Sequence, residues 1–526
     1  MLQSPPPKPE PRVGLGQYWR GVAACAVLLG AYIALIMLLQ TETARRSTAP
    51  PWYSWLRLPP TRTRWQSALL ALPAVAFAGW AGVVRRLIAR PVPQALTLLS
   101  AFSFVLAINV TTAMMDGSPK AIWKPFDWPG SEYFSDVPAV RGVGQFLHGY
   151  VQNLYRYSIH ARTHPPGAVL VLYFVARALG PGIAKAAWSA VLITATGVAP
   201  FYLLVRRLAS RHTASIALAL YAAAPSLVLF GATSMDGVFL VAMLWSTYFL
   251  HRAIVQPGMV NSIVAGIVLA ASLMLSYVTV CVGVMMFLYA ILELAAGRKQ
   301  IGRGVRDTFG KASSSPPPVF RGRARVGVSW ANRRSTPTPA LPLSTGGGGN
   351  SLRQVSPTLG RVAGSFAVCA IVIALCLAIL YGLTGFNYLA CLRASRFYDH
   401  YAMRTFHISF LRYLDISFSN LIAFLIGVGF PVLVLWWKQT IHSLIPRTPA
   451  DRFNLAGVAS VLIFSFAGLF THETERIWLF FAPVGLLAAA SWIGRAGSMQ
   501  RRLLEWTMAL TFMQTWLMQL LLFTIW

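Results

Sequence analysis

Acidic residues are scarce in this chain. Of 526 residues only 15 are Asp or Glu, against 45 Lys or Arg, and charged residues of both signs make up 11%. Many windows of about 20 residues carry no charge at all, which excludes a water-facing surface there and reads as transmembrane helix. Cysteine is sparse too. Cys25, Cys281, Cys369, Cys376 and Cys391 show no metal-ligand or redox spacing, and four lie in apolar runs where packing accounts for them. No basic patch interleaved with aromatics for stacking bases is visible, so the formal net charge of +30 does not point to nucleic acid. No clear internal repeat is present, and no cleavable signal is evident: residues 1–19 are polar and Pro-rich, and the first apolar run is long enough to span.

What is there is apolar: 56% of the residues are hydrophobic. Inside lipid the backbone must pair within its own segment, so such a chain is expected to be an all-α integral membrane bundle. Candidate spans fall near 21–40, 67–84, 94–115, 185–205, 213–231, 235–251, 259–276, 277–295, 363–383, 417–437, 453–470, 477–494 and 503–526, about thirteen in all. The segment 166–180 is apolar but short, and is expected to be re-entrant or steeply tilted. Basic clusters at Arg85, Arg86 and Arg90, at Arg206, Arg207 and Arg211, and at Arg495, Arg501 and Arg502 mark cytoplasmic turns. The loop 41–65, with five arginines on the expected outer side, violates that pattern. The N-terminus is expected to be cytoplasmic in a plasma (inner) membrane protein, with the working face external or periplasmic. Four parts follow: a disordered tail at 1–20, a membrane module at 21–296 with an external loop at 116–165, a basic low-complexity insertion at 297–360, and a second membrane module at 361–526. The insertion, with SSSPPP, RGRAR and TPTPALPLSTGGGG, cannot bury enough apolar surface to order itself.

The rare acids collect on one side. Glu42, Asp116, Asp127, Glu132, Asp136, Asp236, Asp399, Asp415, Glu473 and Glu475 all fall on the expected outer face. Ionisable groups at membrane depth are costly and mark sites. Val137, Val140, Val143, Leu147, Val151 and Leu154 recur at three- and four-residue spacing, with Arg141, Gln145, His148, Gln152 and Arg156 on another face. That is an amphipathic helix lying at the interface, with Asp136 at its start and His164-Pro165-Pro166-Gly167 after its end.

Each candidate has a plainer alternative. Asp136 is either a general base or metal ligand, or a helix cap before Pro138. His164 is either beside a bound phosphate or a helix-entry residue. Asp236 either binds substrate hydroxyls or a metal, or complements a helix dipole. Arg393, Arg396, Arg404 and Arg412 suit phosphate through their planar forks, or else snorkel from an interfacial helix. Glu473, Glu475 and Arg476 crowd a membrane boundary, where a substrate site explains them better than an internal pairing.

The ordered set of Asp136, the amphipathic stretch, HPPG at 164–167, and a turn from Pro225 to Asp236 before a later span resembles the GT-C superfamily of polyprenyl-phosphate-sugar-dependent glycosyltransferases. That group includes the protein O-mannosyltransferases and the aminoarabinose transferases of lipid A. ETERIWLFFAP at 473–483 also looks like a motif of bacterial GT-C-like proteins. The resemblance covers about 94–494, without 297–360. It departs from the family at Asp136-Val137, where the pattern often has Asp-Glu. It implies that a lipid-phosphate-linked sugar enters between the spans and that an unknown acceptor attacks with inversion. Asp136 would then act as base, with arginines of the 393–412 loop and His164 or Arg476 neutralising the leaving phosphate. Asp236 and Glu473 would hold sugar hydroxyls. A divalent metal is compatible with this scheme but not demanded. Two other functions remain open: a transporter or flippase of a lipid-linked glycan, and an inactive scaffold of the same fold.

Overall fold

The structure is a computed structural model, and it describes residues 15–43, 68–312, 358–403, 409–470 and 474–521. Among the described residues all regular structure is helical. Among the described residues six helices are long and apolar enough to cross a membrane: Leu72–Ala89, Gln94–Met114, Ile183–Leu208, Asp236–Val255, Thr279–Gly297 and Leu359–Thr384. Two bent pairs raise the number to eight. Ile416–Val428 meets Phe430–Ser443 at 105°, and Leu479–Gly494 meets Gly497–Leu520 at 120°.

The expected thirteen crossings are not matched by this count, for local reasons. The apolar run 213–231 divides into Arg211–Tyr221 and Pro225–Leu229, because Pro225 cannot continue the first helix. Gly429, at φ +101°, turns the chain between the halves of the first bent pair. Met259–Leu275, at the expected span 259–276, has 17 residues, about 26 Å at 1.5 Å per residue, short of a hydrocarbon core of about 30 Å. The expected insertion also begins later than its composition suggests. The helix Thr279–Ala312 runs through the first part of 297–360, and 313–357 lies outside the described residues. Most of the arginine-bearing loop 41–65 lies outside them as well.

Small residues let the inner helices approach closely, as in membrane bundles generally. Ala482–Gly494 packs against Arg211–Tyr221 and Phe430–Ser443. A Cβ on Gly485 would sit 2.7 Å from the Trp436 ring, and one on Gly457 would sit 2.4 Å from Val484.

The two ends of the bundle differ in charge. At one end Arg85 and Arg501 meet Glu505, Arg206 donates to Gln94, and Arg452 pairs with Glu293 at 2.9 Å. Tyr18 and Trp19, near the start of the first described helix, contact Thr507 and Trp506 at this end. The other end carries the loop 115–166 and the start of Asp236–Val255.

Candidate active site

The loop between Met114 and Gly167 folds as short turns around two α-helices, Val143–Asn153 and the five-residue Ile159–Thr163. The first is shorter than the 137–156 periodicity suggests, because Asp136 and Pro138 sit in a 3₁₀ turn, Tyr133–Ala139, and a new helix starts after Gly142. Its faces are as expected. Phe146, Leu147 and Tyr150 are buried, while Gln145, His148 and Gln152 are exposed. The buried Tyr150 hydroxyl donates to the carbonyl of Ala161 at 2.7 Å and reaches that of His164 at 3.3 Å. The amphipathic helix thus clamps the short helix Ile159–Thr163 and the corner that follows it.

That corner is set by His164-Pro165-Pro166-Gly167. Pro166 precedes the first residue of Gly167–Leu179. Gly167 is required by contact: a Cβ there would lie 2.1 Å from the Met274 carbonyl oxygen. His164 is stacked on Phe239 and edge-on to Tyr133. Burial pushes its imidazole down to about 4, against the opposing pull of the Asp236 carboxylate and with further lowering from His160 and Arg476. His164 is therefore neutral at pH 7.

These elements enclose a cavity of about 340 Å³. Its wall carries Glu132, His160, His164, Asp236, Arg396 and Arg476, and its remaining lining includes Tyr277, Ser395 and Asp399. Four of these groups form a chain. Glu132 Oε1 lies 3.0 Å from His160 Nδ1, Arg476 donates through Nη2 to His160 Nε2 at 3.3 Å, and Arg476 Nε lies 3.0 Å from Asp236 Oδ2. A guanidinium can only donate, so Nε2 accepts and the proton of a neutral His160 ring sits on Nδ1, beside Glu132. The backbone holds the first pair in register: Ile159 and His160 donate their amides to Gly130 and Ser131.

The sequence candidates divide. His164, Asp236, Arg396 and Arg476 come together on the cavity wall. Arg393 is exposed on the same helix, Tyr388–Met403, and is not part of the lining. Arg404 and Glu473 lie outside the described residues, as does the side chain of Glu475. Asp136 lies beside the cavity rather than on it. Both of its oxygens accept from the Ser158 amide, at 3.0 and 3.2 Å, and so hold in place the Ser158 N-cap of the helix that carries His160. Burial raises its pKa, and the Ser158 hydrogen bonds and Arg162 pull the other way. The expectation that Asp136 opens the amphipathic helix over the reaction site is corrected accordingly. Glu132 and His160 are the groups that sequence reasoning passed over. Glu132 belongs to the same sparse set of acids, four residues before Asp136, and that scarcity was the available signal.

Among the described residues no three His, Cys, Asp or Glu side chains gather closely enough to hold a metal.

Residues 163–302 match the family model described as dolichyl-phosphate-mannose-protein mannosyltransferase. The likeness to that family extends over this segment of the 526-residue chain. It starts one residue before His164 and includes Asp236, so the matched segment supplies two groups of the cavity wall. The matched segment contains three of the helices long and apolar enough to cross a membrane, Ile183–Leu208, Asp236–Val255 and Thr279–Gly297. No curated protein matches the chain.

Proposed function

We propose that the chain transfers a sugar from a polyprenyl-phosphate donor to an acceptor hydroxyl or amine in this cavity, with inversion at the anomeric carbon. One observation carries the reading: a carboxylate, Glu132, and two guanidinium groups, Arg396 and Arg476, line the same small cavity. Its volume suits a sugar phosphate rather than a whole lipid.

Glu132 is the base. It takes the proton of the acceptor as the acceptor atom bonds to the anomeric carbon. The bond from that carbon to the phosphate oxygen breaks, and its electron pair leaves with the lipid phosphate. Arg476 and Arg396 meet the charge that develops there, so the leaving group needs no proton. Asp236 aims Arg476, and the Nδ1 proton of His160 lies beside Glu132. Asp136 is a positioning residue that fixes the Ile159–Thr163 helix. These steps use side chains alone.

The arginine-rich end is read as cytosolic and the cavity end as external. The first described helix starts at the arginine-rich end, which supports a cytosolic N-terminus.

The test uses membranes containing the full chain and polyprenyl-phosphate mannose, with release of free polyprenyl phosphate as readout. Glu132→Gln is expected to lower release about 100-fold or more. Undiminished release by a folded Glu132→Gln chain rejects the base assignment. Release that never occurs while intact donor changes leaflet favours a carrier of lipid-linked glycan instead.

A further inference from the structure

A second concavity lies at the opposite end of the bundle from the reaction cavity. It is a groove of about 960 Å³ between Leu72–Ala89 and Gln500–Leu521. Its depth is apolar: Phe77, Ala81, Val84, Ile88, Leu504 and Met508 line it, with Phe77 stacked on Phe512 at 4.2 Å. Its rim is basic and carries Arg85, Arg86, Arg90 and Arg501.

Glu505 is the acid in this lining, and its placement is informative. One oxygen, Oε1, receives Nε of Arg85 at 2.9 Å and Nε of Arg501 at 3.1 Å. The single carboxylate therefore splints two guanidinium groups side by side while cancelling one charge of the four. The Arg85 and Arg501 side chains remain 58% and 73% exposed, so their terminal nitrogens stay open to a ligand. Arg86 and Arg90 are exposed as well. Trp506 stands on the same rim, in edge contact with Trp19. Tryptophan collects where hydrocarbon gives way to headgroups, which puts the arginines at phosphate depth and the groove at acyl depth.

We propose that this groove is a binding site for an acidic diacyl phospholipid, its acyl chains against Phe77, Val84 and Leu504 and its phosphate on the splinted arginines. Basic pockets between spans on the cytosolic side recognise anionic headgroups in this way. The donor lipid is the less suitable occupant. The Asp236–Val255 helix, 20 residues and about 30 Å long, runs from the reaction cavity toward the basic end. A donor phosphate held at the basic rim is too far from Glu132 to react.

The test is native mass spectrometry of the detergent-purified full chain titrated with phosphatidylglycerol, phosphatidylcholine or undecaprenyl phosphate. The wild-type chain is expected to retain phosphatidylglycerol in preference to both others. Arg86→Gln and Arg90→Gln are each expected to weaken that retention by roughly fivefold. Neither side chain takes part in packing, so both variants should melt with the wild-type chain. Arg141→Gln, on the loop at the other end, is expected to change nothing. Equal retention of phosphatidylglycerol and phosphatidylcholine overturns the proposal, as does preference for undecaprenyl phosphate. An Arg86→Gln/Arg90→Gln chain that keeps the wild-type preference overturns it too.

Discussion

Arg476 Nε and Asp236 Oδ2 lie 3.0 Å apart, both largely buried, one at the start of a membrane helix and the other in a short turn far along the chain. Asp236 also shares its carboxylate with the Ser234 hydroxyl, and its amide donates to the Ser234 oxygen. The pair therefore joins the family-matched segment 163–302 to the later half of the protein at the cavity wall. Removing one partner of a buried pair strands the other charge, at a cost of about 3–5 kcal/mol. Asp236→Ala and Arg476→Ala should each lower the melting midpoint. The double variant should lose less than the sum, since the two share one interaction. Additive losses in thermal melts of the purified chain would show that the contact is not energetic.

Asp136 and Glu132 should separate on substitution. Asn at 136 still offers a carbonyl oxygen to the Ser158 amide, so Asp136→Asn is expected to keep most of the transfer activity. Asp136→Ala loosens the Ser158 N-cap of the Ile159–Thr163 helix and should release polyprenyl phosphate more slowly while melting earlier, by an amount typical of lost caps, about 1 kcal/mol. Abolished release in a stable Asp136→Asn chain would return the base role to Asp136.

Gly167→Ala places a methyl group on the Met274 carbonyl, and backbone cannot move aside as a flexible side chain would. The expected cost is about 1–3 kcal/mol, read as a lowered melting midpoint. Gly144→Ala on the amphipathic helix, where a Cβ meets nothing within 4 Å, is the matched control and should be neutral or slightly stabilising.

Stability should fall with acid through His164. Its folded pKa of about 4 lies below the ordinary 6.5, so the unfolded chain binds the extra proton first. The contribution is complete above about pH 6.5 and is lost as pH drops toward 4. Asp236, His160 and Arg476 are the charged or titratable groups that act on this ring. His164→Gln should flatten the melting midpoint between pH 6.5 and 4.5, and an unchanged slope would assign the acid sensitivity elsewhere.

The all-helical class of fold and four of the six titratable or charged groups named on the cavity wall, His164, Asp236, Arg396 and Arg476, were legible in the residues themselves. Long uncharged runs can only be helices in lipid, and acids are too costly there to be scattered, so Asp236 and Arg476 stood out. The span count was not legible, because hydropathy does not register where Pro225 or Gly429 breaks an apolar run into short pieces. The choice between Glu132 and Asp136 was hidden for another reason. Two acids four residues apart would share one face of an α-helix, but here a 3₁₀ turn intervenes, and it points one at the cavity and the other at a backbone amide.

The ring of His160 is pinned on both sides, with its lone pair committed to Arg476. In the proposed reaction a hydrogen ion accepted by Glu132 would thus find no onward path through the imidazole, since the guanidinium beyond it cannot surrender its own charge. Its way out is the cavity mouth, so each catalytic cycle would deposit acid in the compartment from which the acceptor arrives.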